Sequence, residues 1–226
     1  MTLRRDRARC ILAVVLAFAA AAAAGTPDWP SVPLPPDSAG ERVTRHMKNN
    51  GLDMRASKFG TTHSLDQVVA FYRDKWPGTH VVNKLGNKTI VGHAEDGFYV
   101  TVTLEEKGGG TEGSIGTMVM PKEKVEYEMG GGFDKPADTE VFNDIRYLDG
   151  PGETRTLGMS NALSPFQNYE YYRQRLHGQG WKLQQGKKCV MPSRTCVALY
   201  ERGKEKIAMT MNRDASKMTQ IVVTID

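Results

Sequence analysis

"SLDQVVAFYRDKW" (64–76) and "SPFQNYEYYRQRL" (164–176) are two versions of one phrase, displaced by one hundred residues, and they decide the fold. Ser64/Ser164, Gln67/Gln167, Tyr72/Tyr172 and Arg73/Arg173 are identical. A serine followed three residues later by glutamine is a capping box, in which each side chain satisfies a backbone N–H that the first helical turn leaves without a partner. Pro165 adds a residue pre-shaped for the first helical position. Leu65, Val68, Val69, Tyr72 and Trp76 recur at helical spacing, and Tyr169, Tyr172 and Leu176 keep that line in the second copy. Pro77-Gly78 and Gly178/Gly180 supply the stops. Each phrase therefore predicts a capped amphipathic helix with one apolar stripe.

The correspondence extends outward from the helices. "PPDS" (35–38) answers "PADT" (136–139), and Arg55 in "DMRASKF" answers Arg155 in "ETRTLGM". The segment 94–106 matches 200–213 in pattern. Strands are predicted before each helix ("LDMRASKF", "ETRTLGMS") and after it. In "FYVTVTLEE" Phe98, Val100, Val102 and Leu104 alternate with polar residues; "KIAMTMN" places Ile207, Met209 and Met211 on one face, and "QIVVTI" does so with Ile221, Val223 and Ile225. Turns are expected at 95–97 and 202–204, and a loop at "KGGGTEG" (107–113). One helix followed by several antiparallel strands, twice, predicts an α+β protein of two tandem repeats, each an antiparallel sheet with one helix across a face. The expected division is a leader (1–24), an extended segment (25–39), repeat one (40–120), a linker (121–136) and repeat two (137–226). The charged start and Gly-Gly-Gly of "PKEKVEYEMGGGFDKP" read as a flexible joint.

The helix phrase followed by Gly180-Trp181 and a strand meander resembles the small α+β domains of uncharacterised exported bacterial proteins, which occur singly or in tandem. The resemblance covers most of the chain after the leader but rests on capping and core residues, and it implies no catalytic residue. The first copy departs from it, with His80-Val81 where Gly-Trp would stand.

The N-terminus carries Arg4, Arg5, Arg7 and Arg9, then the apolar run "ILAVVLAFAAAAAA" (11–24), then "GTPDWP". This is the pattern of a secretory signal peptide cleaved near Ala24/Gly25. An uncleaved anchor is the rival reading, although 14 residues are short for a bilayer span. The expected location is the periplasm or the exterior, with membrane contact only transient, through the leader. The whole chain has 30 basic and 26 acidic side chains; without residues 1–24 it has 26 and 25, a net of +1. That balance offers no bulk attraction for nucleic acid or anionic lipid. Cys10 leaves with the leader. Cys189 and Cys196, separated by "VMPSRT", are then expected to form a disulfide on an inserted loop of the second copy rather than a redox pair, since the spacing is C-x6-C.

Catalytic signatures are absent from the sequence: there is no H-E-x-x-H, no G-x-S-x-G and no S-x-x-K. "GWKLQQGKKC" has five residues rather than four between its glycines and ends in Cys, so it reads as a turn and not as a phosphate loop. His46, His63, His80, His93 and His177 are scattered, and His93-Ala94-Glu95 lacks the P-C-x-x-C partner of a zinc deaminase. Met118/Met120 and Met209/Met211 have strand spacing that suits copper(I), but Met209 and Met211 share the parity of Ile207 and read as core. No cofactor and no metal are expected.

Arg73 and Arg173 are the candidate binding residues. Each follows a core-facing tyrosine by 100° and so stands at the edge of the apolar stripe. Two readings stand for them: covering the helix–sheet seam while pairing with an acid on the sheet, or forming two equivalent anion sites. The composite expectation is a non-enzymatic exported binding or assembly module that engages another envelope protein. The alternatives are a small-ligand carrier with a pocket between helix and sheet lined by Tyr72, Trp76 and Phe98, and an envelope hydrolase with an unrecognised site.

Overall fold

The computed structural model describes residues 27–184 and 189–226. The leader, Cys10, the cleavage point near Ala24/Gly25 and most of the "QQGKK" turn lie outside the described residues.

Among the described residues twelve strands form one continuous antiparallel sheet. The first six are β1 (Ala39–Asn49), β2 (Leu52–Thr61), β3 (His80–Leu85), β4 (Lys88–Glu95), β5 (Phe98–Lys107) and β6 (Gly110–Val119), with helix α1 (Leu65–Lys75) between β2 and β3. The other six are β7 (Glu140–Tyr147), β8 (Thr154–Asn161), β9 (Lys182–Leu183), β10 (Thr195–Arg202), β11 (Glu205–Arg213) and β12 (Thr219–Ile225), with α2 (Pro165–Gly178) between β8 and β9. Across the sheet the order is β3-β4-β5-β6-β2-β1-β7-β8-β12-β11-β10-β9. The α+β class stands, with strand predominating and two helices among the described residues. Read outward from the β1–β7 seam, the strand order is the same in both directions.

The seam itself is short, pairing Met47 with Tyr147, Lys48 with Arg146 and Asn49 with Ile145. Paired residues point to the same face of a sheet and alternate along it. Arg146 pairs with Lys48 on one side and Arg155 on the other, so the face carrying Arg55, Ser57 and Phe59 continues into the face carrying Arg155, Leu157 and Met159. Phe59 packs with α1 and Leu157 with α2, which puts both helices on one side of the sheet.

Both capping boxes form, Ser64 with Gln67 and Ser164 with Gln167. The predicted stripes are the buried ones: Val68, Val69, Tyr72 and Trp76 sit over Val91, Val100, Val102 and Leu104, while Tyr169, Tyr172 and Leu176 sit over Ile207, Met209, Met211, Ile221 and Val223. Met209 and Met211 are core residues, 1% and 0% exposed. Cys189 and Cys196 are joined by a disulfide, with Cα atoms 5.2 Å apart. Among the described residues no helix is long and apolar enough to cross a membrane.

Two expectations are corrected. The glycine-rich stretch 107–113 is not a loop throughout: only its start turns, and β6 begins at Gly110. Glycine is needed there for proximity, because a Cβ on Gly113 would stand 2.2 Å from the Phe59 ring and one on Gly110 would stand 2.2 Å from the Thr61 carbonyl oxygen. Nor is the glycine part of 121–136 a free joint. Gly130 and Gly132 hold φ of +74° and +75°, a left-handed backbone that glycine adopts without strain, and the segment they shape is bonded into the sheet. Three glycines in a row signalled a fixed bend rather than freedom.

Candidate functional site: a cleft with two arginines

The helix-to-sheet space expected to hold a ligand is filled. Tyr72 (0% exposed) and Trp76 (6%) stack on each other at 4.8 Å, and Trp76 stacks in turn on His93 at 4.5 Å. His93 is itself occupied, with Thr79 at its Nδ1 and Glu95 3.3 Å from its Nε2. Phe98 packs against Trp29, with ring centroids 5.6 Å apart. The helix arginines stand on the solvent side. Arg173 is exposed and pairs with Glu170 one turn back on its own helix, not with an acid on the sheet. Arg73 is exposed and makes no ion pair among the described residues. The two are 100 residues apart on separate helices, and no described contact brings them together.

The polar chemistry lies instead beside the seam, around a second pair of arginines at matching strand positions. Asp144 on β7 is fully buried, and Arg155 on β8 grips it with Nε to Oδ1 at 2.9 Å and Nη2 to Oδ2 at 2.6 Å. The Tyr127 hydroxyl (2.9 Å) and the Gly130 amide (2.8 Å) also donate to Oδ2, and Arg155 Nη1 donates to the Gly131 carbonyl (3.0 Å). Across the seam the Asn50 side-chain oxygen accepts from the Asp144 amide. Burial alone would raise the Asp144 carboxyl, but the bonds from Arg155, Gly130 and Tyr127 outweigh it and hold the group below its ordinary value. This is a closed, fully satisfied ion pair.

Arg55 occupies the same place in the first half. It too donates to a backbone carbonyl of the segment that precedes its sheet, that of Pro30. Counting back 101 residues from Gly131, the offset that relates "PPDS" to "PADT", gives Pro30. The rest of the surroundings differ. Leu157, two residues after Arg155, is paired with Asp144; Ser57, two residues after Arg55, is paired with Arg42. The position of the acid is thus taken by a second base. A bulge in β1 between Arg42 and Thr44 interrupts the register beside this space, and Thr44, which also lines it, donates its hydroxyl to Asp149 at 2.8 Å. Burial and the neighbouring Arg42 pull the Arg55 guanidinium below its ordinary value, as expected for a cation lacking a counter-charge.

Around these groups is a cleft of about 400 Å³, on the helix side of the sheet, between segment 29–34 and strands β1, β2 and β6. Trp29, Arg42, Thr44, Arg55 and Ser57 line it. The Trp29 ring lies 5.5 Å from the Arg55 guanidinium carbon, and Tyr72 ties the segment down through its hydroxyl to the Pro33 carbonyl at 3.1 Å. At the rim Glu41 is engaged by Lys58 at 3.0 Å, so among the described residues neither Arg42 nor Arg55 has an acidic partner. Such a cleft presents a paired positive charge and an aromatic wall. It holds no nucleophile–base pair, and no group of three His, Cys, Asp or Glu side chains that suits a metal occurs among the described residues.

Sequence reasoning aligned Arg55 with Arg155 without reading either as part of a site. The available signal was a charged residue at the core-facing parity of a strand. Comparison of the chain with protein-family models, curated proteins and solved structures finds no match.

Proposed function

We propose that this chain is an exported, non-enzymatic binding module that engages another envelope protein of a Gram-negative bacterium in the periplasm, and that the Arg42/Arg55 cleft is its contact for an acidic group. The basic and apolar leader supports export. The duplicated helix phrase and the strand order shared by the two directions from the seam support an origin as two tandem copies. One observation carries the reading: the arginine closed by Asp144 in the second half faces an open cleft beside another arginine in the first. Arginine is suited to bidentate recognition of acidic groups, and a charge pair in a partly desolvated cleft binds more strongly than one at an open surface.

The test is recovery of the tagged chain from a periplasmic fraction. Wild type is expected to begin near Gly25 by N-terminal sequencing and to retain a partner whose binding weakens with salt. The Arg42→Ala/Arg55→Gln double variant is expected to lose that partner while keeping the same unfolding temperature to within a few degrees. Retention of the same proteins by both forms, or of none at any salt, overturns the proposal.

A further inference from the structure

We infer that the group taken up by the cleft is a carboxylate, on a terminus or side chain of a polypeptide or on a small organic acid. This deepens, and rests on, the reading of the cleft as an acid-binding site. The second half serves as the template. There the arginine spends one N–H on the carbonyl of Gly131 and offers Nε and a second Nη to the two oxygens of a planar carboxylate. In the first half the atom spent on a carbonyl is Nη2, towards Pro30, rather than Nη1 as in Arg155, and one N–H of Nη2 with a neighbouring N–H still leaves one edge of the planar fork for a ligand. A carboxylate matches such an edge with two parallel hydrogen bonds.

The chain withholds its own carboxylate at this point. Asp144 answers to Arg42 in the strand register, so an incoming acid gains two cations where the second half has one neutral pair. The donor side differs in a way that sets the shape of the ligand. Gly130, whose amide bonds Asp144, is answered at the 101-residue offset by Trp29. Where the second half brings backbone against its acid, the first brings an indole. The ligand is therefore a carboxylate with an apolar surface next to it, able to lie along Trp29. Trp76 and Trp181 are 6% and 5% exposed, so Trp29 is the tryptophan of the chain that reports on the cleft.

The experiment titrates the chain with four probes, namely succinate, a tripeptide with a free C-terminus, the same tripeptide amidated, and inorganic phosphate. Tryptophan emission and heat are read together, with Trp29→Phe as the optical control. Saturable binding of succinate or the free-acid tripeptide is expected, at least tenfold tighter than phosphate. Arg55→Gln is expected to weaken it tenfold or more. Arg42→Asp, which places an acid where Asp144 stands in the other half, is expected to abolish binding and raise the unfolding temperature. Preference for the tripeptide acid over succinate and the amide assigns the source to a polypeptide terminus, and equal binding of succinate assigns it to any small carboxylate. Phosphate binding as tightly as the carboxylates overturns this inference and leaves the acid-binding reading standing. No binding of any anion overturns both. An Arg42→Asp chain that binds carboxylate like wild type also overturns the inference, and its own unfolding curve shows whether it folds.

Discussion

The two halves of the molecule build the same strand order around the same capped helix, yet they treat one shared arginine in opposite ways. Arg155 is sealed by Asp144, Tyr127 and Gly130, while Arg55 faces a cleft with Arg42 beside it. The helices, which look most alike in sequence, are not where the halves diverge. They diverge in the segments that precede each sheet and in the first strand of each half, where Gly130 and Asp144 are answered by Trp29 and Arg42. Architecture and chemistry are thus written in different parts of the chain.

The largest effect is expected from breaking the closed side. Asp144→Ala leaves a guanidinium that is 9% exposed without its counter-ion and strands two further donors, a loss of about 3–5 kcal/mol seen as a fall in unfolding temperature. Acid should act at the same point. Because the folded Asp144 carboxyl lies below its ordinary value, its contribution is present above that value and is lost as the pH falls below about 4 and through the folded value. The wild-type unfolding temperature should therefore drop more steeply in that range than that of Asp144→Asn.

A smaller loss is expected from Cys196→Ser, since releasing an eight-residue loop costs about 2.5 kcal/mol in the chain-entropy model. Denaturant unfolding of the variant beside wild type under non-reducing conditions measures it. Smaller again is the difference between the two helix tyrosines. Tyr72→Phe removes the bond to Pro33 and should cost about 1 kcal/mol, whereas the Tyr172 hydroxyl has no hydrogen-bond partner among the described residues and Tyr172→Phe should cost nothing. Equal losses by the same denaturant measurement would erase that contrast. The smallest effect belongs to Arg73→Ala and Arg173→Ala. These exposed side chains should change neither the unfolding temperature nor partner retention, and loss of the partner in either variant would move the contact from the cleft to the helices.

Much of this fold was legible in the sequence wherever burial is apolar. Ser-x-x-Gln gave the helix starts, Val100, Val102 and Leu104 gave β5, and the loop spacing of Cys189 and Cys196 gave their bond. The strands at the seam were not legible, because their inward positions are polar: Asp144, Arg146 and Thr44 break the alternation that marks a strand. β6 was concealed by glycines that serve close approach. The cleft was concealed for a third reason. Arg42 meets Arg55 through a register that includes a bulge, and pattern along one strand cannot locate a bulge in its partner.

The seam of three residue pairs also sets an order of assembly. Nearly every other strand contact joins neighbours along the chain or closes around a single helix, whereas Met47 and Tyr147 meet across a hundred residues. Bringing such distant ends together costs conformational entropy that only later contacts return. Each half should therefore gain its hairpins first and join last, with Asn50 reaching the Asp144 amide as the final latch. In hydrogen exchange on the native protein the seam amides of β1 should open at lower free energy than those of β5 and β11. The joint between the halves is then the place where the molecule first comes apart.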